Sequence, residues 1–429
     1  MSRVVLAMTI AVLLVRTTVA CPLCAVPPQT WAEILDGSRV VVVADFVHCT
    51  IDQQTHEPCS VFRVRSVQWH HDTRGIIVPL RSGQTLRLKS LLDADFGDLF
   101  LLTAQFPLPT STFESPITFA SATSESETGA PVAGKDRTDA SPLILQSDGL
   151  EWDPPSQVTA AALQYIQQAP PNSVSYLQRL PYYIRFLEHE DPLISADAWA
   201  EFARADYESI VAHQSRYPGT LLRSWIADEQ TLPERLSTYG LLLGLCGQPE
   251  DIDFLRRQAG IAPDEPVRFG SEGLWAGYLR LSGSSGLDWL DAQLLNSPAL
   301  SDDRADAIRK ALEFMWEYEA ARISPDRLRQ SMRLMMNQHN MRSTVLRTLT
   351  RWKDWDYLSE AVRLFHQLAE TDEYTCCAVV AFAQECQRAN QPSADSPSGN
   401  QKHHDAAAAF LRKVKQDHPE ILRRASYQF

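Results

Sequence analysis

The chain has 429 residues, 44% hydrophobic and 22% charged, which places it among globular proteins and excludes a disordered one. Its length allows two or three domains. A formal charge of −13 lacks the basic footprint that phosphate binding needs, so a nucleic-acid partner is excluded.

Residues 1–20 read as an export signal. Arg3 opens it, Val4 to Leu14 form an apolar run, and Thr18-Val19-Ala20 supply small residues ahead of a cleavage point. The run is too short to cross a hydrocarbon core of roughly 30 Å as a helix, so no transmembrane span is expected. A lipoprotein signal, with Cys21 acylated as the mature N-terminus, is the alternative. In both cases the chain is exported, periplasmic or extracellular, or lipid-anchored through Cys21.

Residues 21–106 hold one short helix, Gln29 to Gly37, and then a strand-like period. Arg39 to His48 is β-branched and largely apolar. Ser60 to Trp69 alternates, with Val61, Arg63, Arg65 and Val67 on one side and Phe62, Val64 and Ser66 on the other. Gln84 to Ser90 and Gly97 to Ala104 supply two more strands, which predicts a small barrel or sandwich. A start of Cys21-Pro22-Leu23-Cys24, a short helix, VVVVADFV and a later GDLFLLTA resembles a netrin-like domain, the OB-type barrel also found in tissue inhibitors of metalloproteinases. Those inhibitors begin Cys-x-Cys where this chain has Cys-x-x-Cys, so their zinc-directed amine is not carried over.

Cys21, Cys24, Cys49 and Cys59 are the candidate disulfide or thiol residues, read first as structural bridges in an oxidising compartment. A redox pair at Cys21 and Cys24 is the alternative. Cys49 and Cys59 are expected to bridge a hairpin, whereas His48-Cys49 with His56-x-x-Cys59 match a metal set only by residue type. No metal site is expected from them. Cys246 lies in an apolar helical run and reads as a buried thiol.

Residues 107–142 are rich in Ser, Thr and Pro and read as a flexible insertion or linker. Gly129 to Lys135 matches the start of a phosphate-binding loop, but Asp136 stands where a magnesium-binding hydroxyl belongs. Residues 143–156 are expected to return as the last strand of the β domain and a hinge.

From residue 157 to 389 the period is helical. In Asp191 to Phe202, Asp191 caps a helix with Pro192 in its first turn, and Ile194, Ala198 and Phe202 form an apolar stripe. Val345, Leu349 and Trp352 face Leu358, Ala361, Val362, Phe365 and Leu368 across a short turn, which predicts antiparallel neighbours. Gly-Leu-x-x-Gly recurs at Gly240–Gly244 and Gly273–Gly277, and apolar centres recur near Leu312, Leu346 and Val379 at intervals of 33 to 34 residues. Such a period means stacked helix pairs, and glycines four apart suit close helix approach. Seven tryptophans (Trp199, Trp225, Trp275, Trp289, Trp316, Trp352, Trp355) read as core rather than a sugar-stacking surface. Arg322, Arg327, Arg329 and Arg333 form a basic face, read as solvated, with a docking patch for an acidic partner as the alternative. Residues 390–429 are a mobile loop and a terminal helix.

Asp191-Pro192 ahead of an Ala-rich helix resembles the HEAT type of repeat. CPLC, FLEHEDPLISADAWAEFA, YGLLLGLCG, GLWAGYLRLSG, RQSMRLMM and RWKDW together resemble a family of exported bacterial proteins of the planctomycete kind, which implies export and a two-part architecture but no activity. The expected class is α+β multidomain, a small N-terminal OB-like β-barrel followed by an all-α HEAT-like solenoid. No zinc-protease, hydrolase-elbow or dinucleotide motif is present and no cofactor is expected. The leading expectation is a non-enzymatic binding or scaffold protein that docks a protein or peptide partner. The alternatives are a thiol-redox or metal-dependent enzyme using the N-terminal cysteines and histidines, and a metalloprotease inhibitor.

Overall fold

The structure is a computed structural model and describes residues 23, 27–52, 56–70, 80–105, 150–261, 266–297, 300–391 and 398–428. The export signal expected over 1–20, Cys21, Cys24, the insertion at 107–142 with its partial phosphate-loop match, and residues 143–149 lie outside these. The described residues form two compact units, 28–201, and 202–428 with residues 23 and 27. The helices from 157 to 201, expected in the helical array, belong to the unit that holds the sheet.

In the first unit, helix α1 (Trp31–Gly37) begins with a capping box: Thr30 Oγ1 accepts from the Glu33 N–H and the Glu33 carboxylate accepts from the Thr30 N–H. Strands β1 (Val40–Ile51), β2 (Pro58–His70), β3 (Thr85–Leu88) and β4 (Leu99–Gln105) follow, then two short strands, β5 (Glu151–Trp152) and β6 (Ser156–Gln157). Every pairing is antiparallel, in the order β3-β2-β1-β4-β5, with β6 also on β4. The sheet curls into a half-barrel rather than the closed barrel expected. β1 is central and buried on both faces, with Val40, Val42, Ala44 and Phe46 in the core cluster and Val41 and Val43 buried on the other side. That is why it reads as an unbroken apolar run. Phe46, Phe62 and Phe100 fill the cluster with ring centroids 5.3 to 6.1 Å apart.

Bulges alter the alternation expected for β2. Ala44 pairs with Val64 and Val43 with Ser66, so Arg65 is the extra residue. Past it the faces exchange, and Val67, not Ser66, returns to the core. Helices α2 (Ala160–Gln168), α3 (Tyr176–Tyr183) and α4 (Pro192–Arg204) complete this part of the chain, the residues of α4 up to Glu201 belonging to this unit. Asp191 caps α4 through the Leu193 N–H, and Ile194, Ala198 and Phe202 are all buried, as their spacing predicts.

The second unit is helical: α5 (Tyr207–Ala212), α6 (Gly219–Ala227), α7 (Pro233–Cys246), α8 (Pro249–Gln258), α9 (Ser271–Leu290), α10 (Asp302–Tyr318), α11 (Pro325–Leu334), α12 (Arg342–Arg351), α13 (Leu358–Leu368), α14 (Glu373–Ala389), α15 (Ser398–Asp417) and α16 (Pro419–Gln428). α9 is kinked at Gly283, whose φ of 63° and ψ of −146° only glycine adopts readily. The repeated glycines fall on α7 and α9, and the apolar centres at Leu312, Leu346 and Val379 on α10, α12 and α14. Of these, α7 packs on α9, α9 on α10, and α12 on α14. Thr348 and Arg351 of α12 reach Glu313 of α10 and close the remaining gap. No helix among the described residues is long and apolar enough to cross a membrane.

The repeated glycines meet. A Cβ built on Gly244 would lie 2.3 Å from Gly277 Cα, and one on Gly277 would lie 2.2 Å from Gly240 O. Backbone touches backbone at this crossing, which only the missing side chains permit. Arg280 then satisfies a buried carbonyl in the last turn of α7, donating to Gly244 O at 3.1 Å and to Glu319 at 3.0 Å, while Tyr207 donates to the same carboxylate at 2.6 Å.

Candidate functional site

Of the four cysteines expected to carry chemistry, Cys49 and Cys59 are described, and they do not converge. The bulge at Val47 places His48 opposite Val61 and Cys49 opposite Ser60, while Cys59 faces Thr50. Adjacent registers point to opposite faces of a sheet, so Cys49 and Cys59 project away from each other. The hairpin bridge is therefore not formed, and both are free thiols. Cys49 lies 3.4 Å from Ser60 Oγ and donates to Leu92 O at 3.3 Å, on the core side. His48, on the other face, cannot share a metal with it. Among the described residues no three His, Cys, Asp or Glu side chains are placed to hold a metal ion. In the helical unit burial pushes the Cys376 thiol up to about 12 and the Cys386 thiol up to about 11. Such thiols stay protonated and unreactive.

The sequence reading missed a buried polar network in the sheet-bearing unit. Asp197 and Glu201, one helical turn apart on α4, are 7% and 0% exposed. Asp197 accepts from the Trp31 N–H and from the Tyr165 hydroxyl, both at 2.7 Å. It thereby satisfies an orphan donor in the first turn of α1. Glu201 pairs with Arg179 of α3, which also donates to Asn172 at 2.9 Å and lies over the rings of Tyr176 and Tyr183. The network joins α1, α2, α3 and α4. Its members face one another rather than a ligand.

Burial pushes the Glu201 carboxyl up from 4.5 to about 7, outweighing the attraction of Arg179, and raises Asp197 as well. Between those pH values the folded chain holds a proton that the unfolded chain has released. The stability this contributes is fully present below about pH 4 and is lost as pH rises through about 7. The unfolding free energy of the wild type should therefore fall relative to that of Glu201→Gln by about 2–3 kcal/mol between pH 4.5 and 7.5. Parallel urea titrations across that range check this; two lines of equal slope would refute it.

The basic face is paired with carboxylates of the chain itself while staying partly solvated, Arg322 being exposed and Arg327, Arg329 and Arg333 half-buried. Arg327 binds Asp288 and Asp291, and Arg333 forks onto Asp354. Arg329 pairs with Asp326, donates to Trp352 O and lies 5.0 Å over the ring of Trp316. Trp316 itself stacks on Trp352 with centroids 4.3 Å apart. Arg322 pairs with Glu319. None of the seven tryptophans is exposed, so they act as packing residues.

A groove of about 600 Å³ lies open between α13 and α15. The two helices run the same way: Asp356, just before α13, meets His403 at 3.4 Å, and His366 meets Phe410 with centroids 6.5 Å apart. Leu358 and Phe410 form the buried floor, with half-buried Val362 and Trp355 and exposed Ala406 and Ala409 above them. Lys402, His403, Lys413 and His366 line the rim with Asp356. The floor is fixed from beneath by Trp355 on Phe382 of α14 and by Phe365 on Phe410. The α13 half of this groove was legible in the periodicity as Leu358 and Val362. Of the α15 half only the helix around Ala406 to Val414 was legible; nothing in its sequence marked α13 as its neighbour. Comparison of the chain with protein families, curated proteins and solved structures returns no match.

Proposed function

We propose that this is an exported, non-enzymatic binding or scaffold protein whose helical unit docks a protein partner, with the groove between α13 and α15 as the contact. The groove carries the reading: it is a preformed apolar cleft with a polar rim, the arrangement that receives an amphipathic segment. Export rests on the signal-like residues 1–20, with acylation at Cys21 as the anchored variant. Within this reading the sheet is an opened OB-type, netrin-like barrel and the helical unit a HEAT-like solenoid, for which the 33–34-residue interval is the support. The thiol reading has no support from Cys49 and Cys59, which diverge, or from the deep thiols, which burial holds protonated; it rests on Cys21 and Cys24, outside the described residues.

Photo-crosslinking tests it. A benzoylphenylalanine replacing Val362 or Ala409 in the full chain should give one discrete adduct in the native envelope, identifiable by mass and re-formed from the two purified proteins. The same probe at Glu420, outside the groove, should give none. Equal labelling from both places, or no adduct at the groove, would end the proposal.

A further inference from the structure

The geometry points to an acidic amphipathic helix as the occupant of the α13/α15 groove, with two carboxylates eleven residues apart that meet Lys402 and Lys413. This rests on the reading of the helical unit as a partner-binding surface and names the chemistry of the partner. Two helices lying side by side are separated by roughly 8–10 Å, and the furrow between them is the shape that a third helix fills. The furrow here is apolar along its length, through Leu358, Val362, Ala406, Ala409 and Phe410, and the alanines on α15 leave room for a helix to come close. The rim is basic at both ends. Lys402 and Lys413 stand at its two ends, with His403 and His366 between, and the single carboxylate, Asp356, already meets His403. In a chain of charge −13 this is a local reversal of sign. It selects an acidic ligand and repels a basic one.

The spacing follows from helix geometry. Lys402 and Lys413 are 413 − 402 = 11 positions apart, close to three whole turns, so both point the same way along about 16 Å of α15. A partner helix aligned with the groove has the same rise. It meets both lysines only if its own acidic residues are spaced alike, with apolar residues one and two turns in from the first to reach Val362 and Phe410. An acyl chain would fill the floor but present at most one charge, at one end.

The test uses the full chain and a stapled, fluorescently labelled helix with glutamates eleven residues apart and leucines between, followed by anisotropy. Binding is expected, and Lys402→Glu with Lys413→Glu should weaken it by at least tenfold. The doubly reversed chain should instead bind the same peptide with lysines in place of its glutamates. Val362→Arg should abolish binding of both peptides, with circular dichroism unchanged. Equal binding of the acidic and basic peptides, indifference to the charge reversal, or capture of phosphatidylglycerol vesicles in preference to the acidic peptide would each overturn the inference. A groove adduct in the envelope together with failure of the acidic peptide would sink the partner chemistry and leave the broader function standing.

Discussion

Replacing Gly277 by alanine should lower the stability of the helical unit by about 2–4 kcal/mol, although alanine is the better helix former by roughly 1 kcal/mol. The new methyl would sit 2.2 Å from Gly240 O and 3.3 Å from Gly244 Cα. Neither neighbour is a side chain that can turn away. The helices must separate, and the α7/α9 contact, where the fully buried Leu274 lies beside Gly240, is loosened. Gly244→Ala meets Gly277 Cα at 2.3 Å and should behave alike, whereas Gly37→Ala, with nothing within 4 Å, should change stability by less than about 0.5–1 kcal/mol. Urea unfolding followed by tryptophan fluorescence, with Gly37→Ala as reference, measures the difference. If Gly277→Ala unfolds at the wild-type midpoint, the backbone contact at the crossing is not present in solution.

Arg179→Ala should cost more, about 3–5 kcal/mol, because it strands the Glu201 carboxyl inside the sheet-bearing unit. Arg179 is 1% exposed and Glu201 0%, so water cannot replace the lost partner. A buried ion pair also pays heavily in desolvation, so replacing both members by apolar residues is far milder than breaking the pair. Arg179→Met with Glu201→Leu should therefore regain most of the loss. The unfolding free energies of the two single variants and the double variant decide this. A single-variant cost under about 1 kcal/mol, or a double variant no better than the worse single, would mean that the pair is not desolvated as described.

The elements were readable wherever local chemistry and burial agree. Gln29 to Gly37 was readable as a short helix, Asp191-Pro192 as the start of α4, and VVVVADF as a strand. Gly-Leu-x-x-Gly in two copies announced the crossing of α7 and α9, because a gap in side-chain volume repeated at one helical turn has few other uses. The bulges were not readable. A single extra residue at Arg65 or Val47 leaves no mark in composition, yet it decides that Val67 faces the core and that Cys49 and Cys59 point apart. Asp197 and Glu201 were legible only in hindsight. They stand one position ahead of Ala198 and Phe202, on the flank of the apolar stripe, where a wide buried face must include them. The short turn between α12 and α13 was expected, but its backbone conformation was not. Lys353 takes the left-handed position after α12 (φ 54°) that glycine usually marks, and so sets Asp354 beneath Arg333.

The linear order of residues determined which segments become strands and which become helices, and that two of the helices meet through glycine. These follow from hydrogen bonding and side-chain volume within a turn or two of chain. Only the tertiary structure decided which charges are spent and which remain on offer. The arginines of α11 are neutralised by Asp288, Asp291, Asp326 and Asp354, drawn from their own and neighbouring helices, while Lys402 and Lys413 come to rim a groove with α13, about forty to fifty residues earlier in the chain. Charge and apolar surface become a site only when distant segments are brought within a few ångströms, a distance at which electrostatic and packing energies act and which no local pattern encodes.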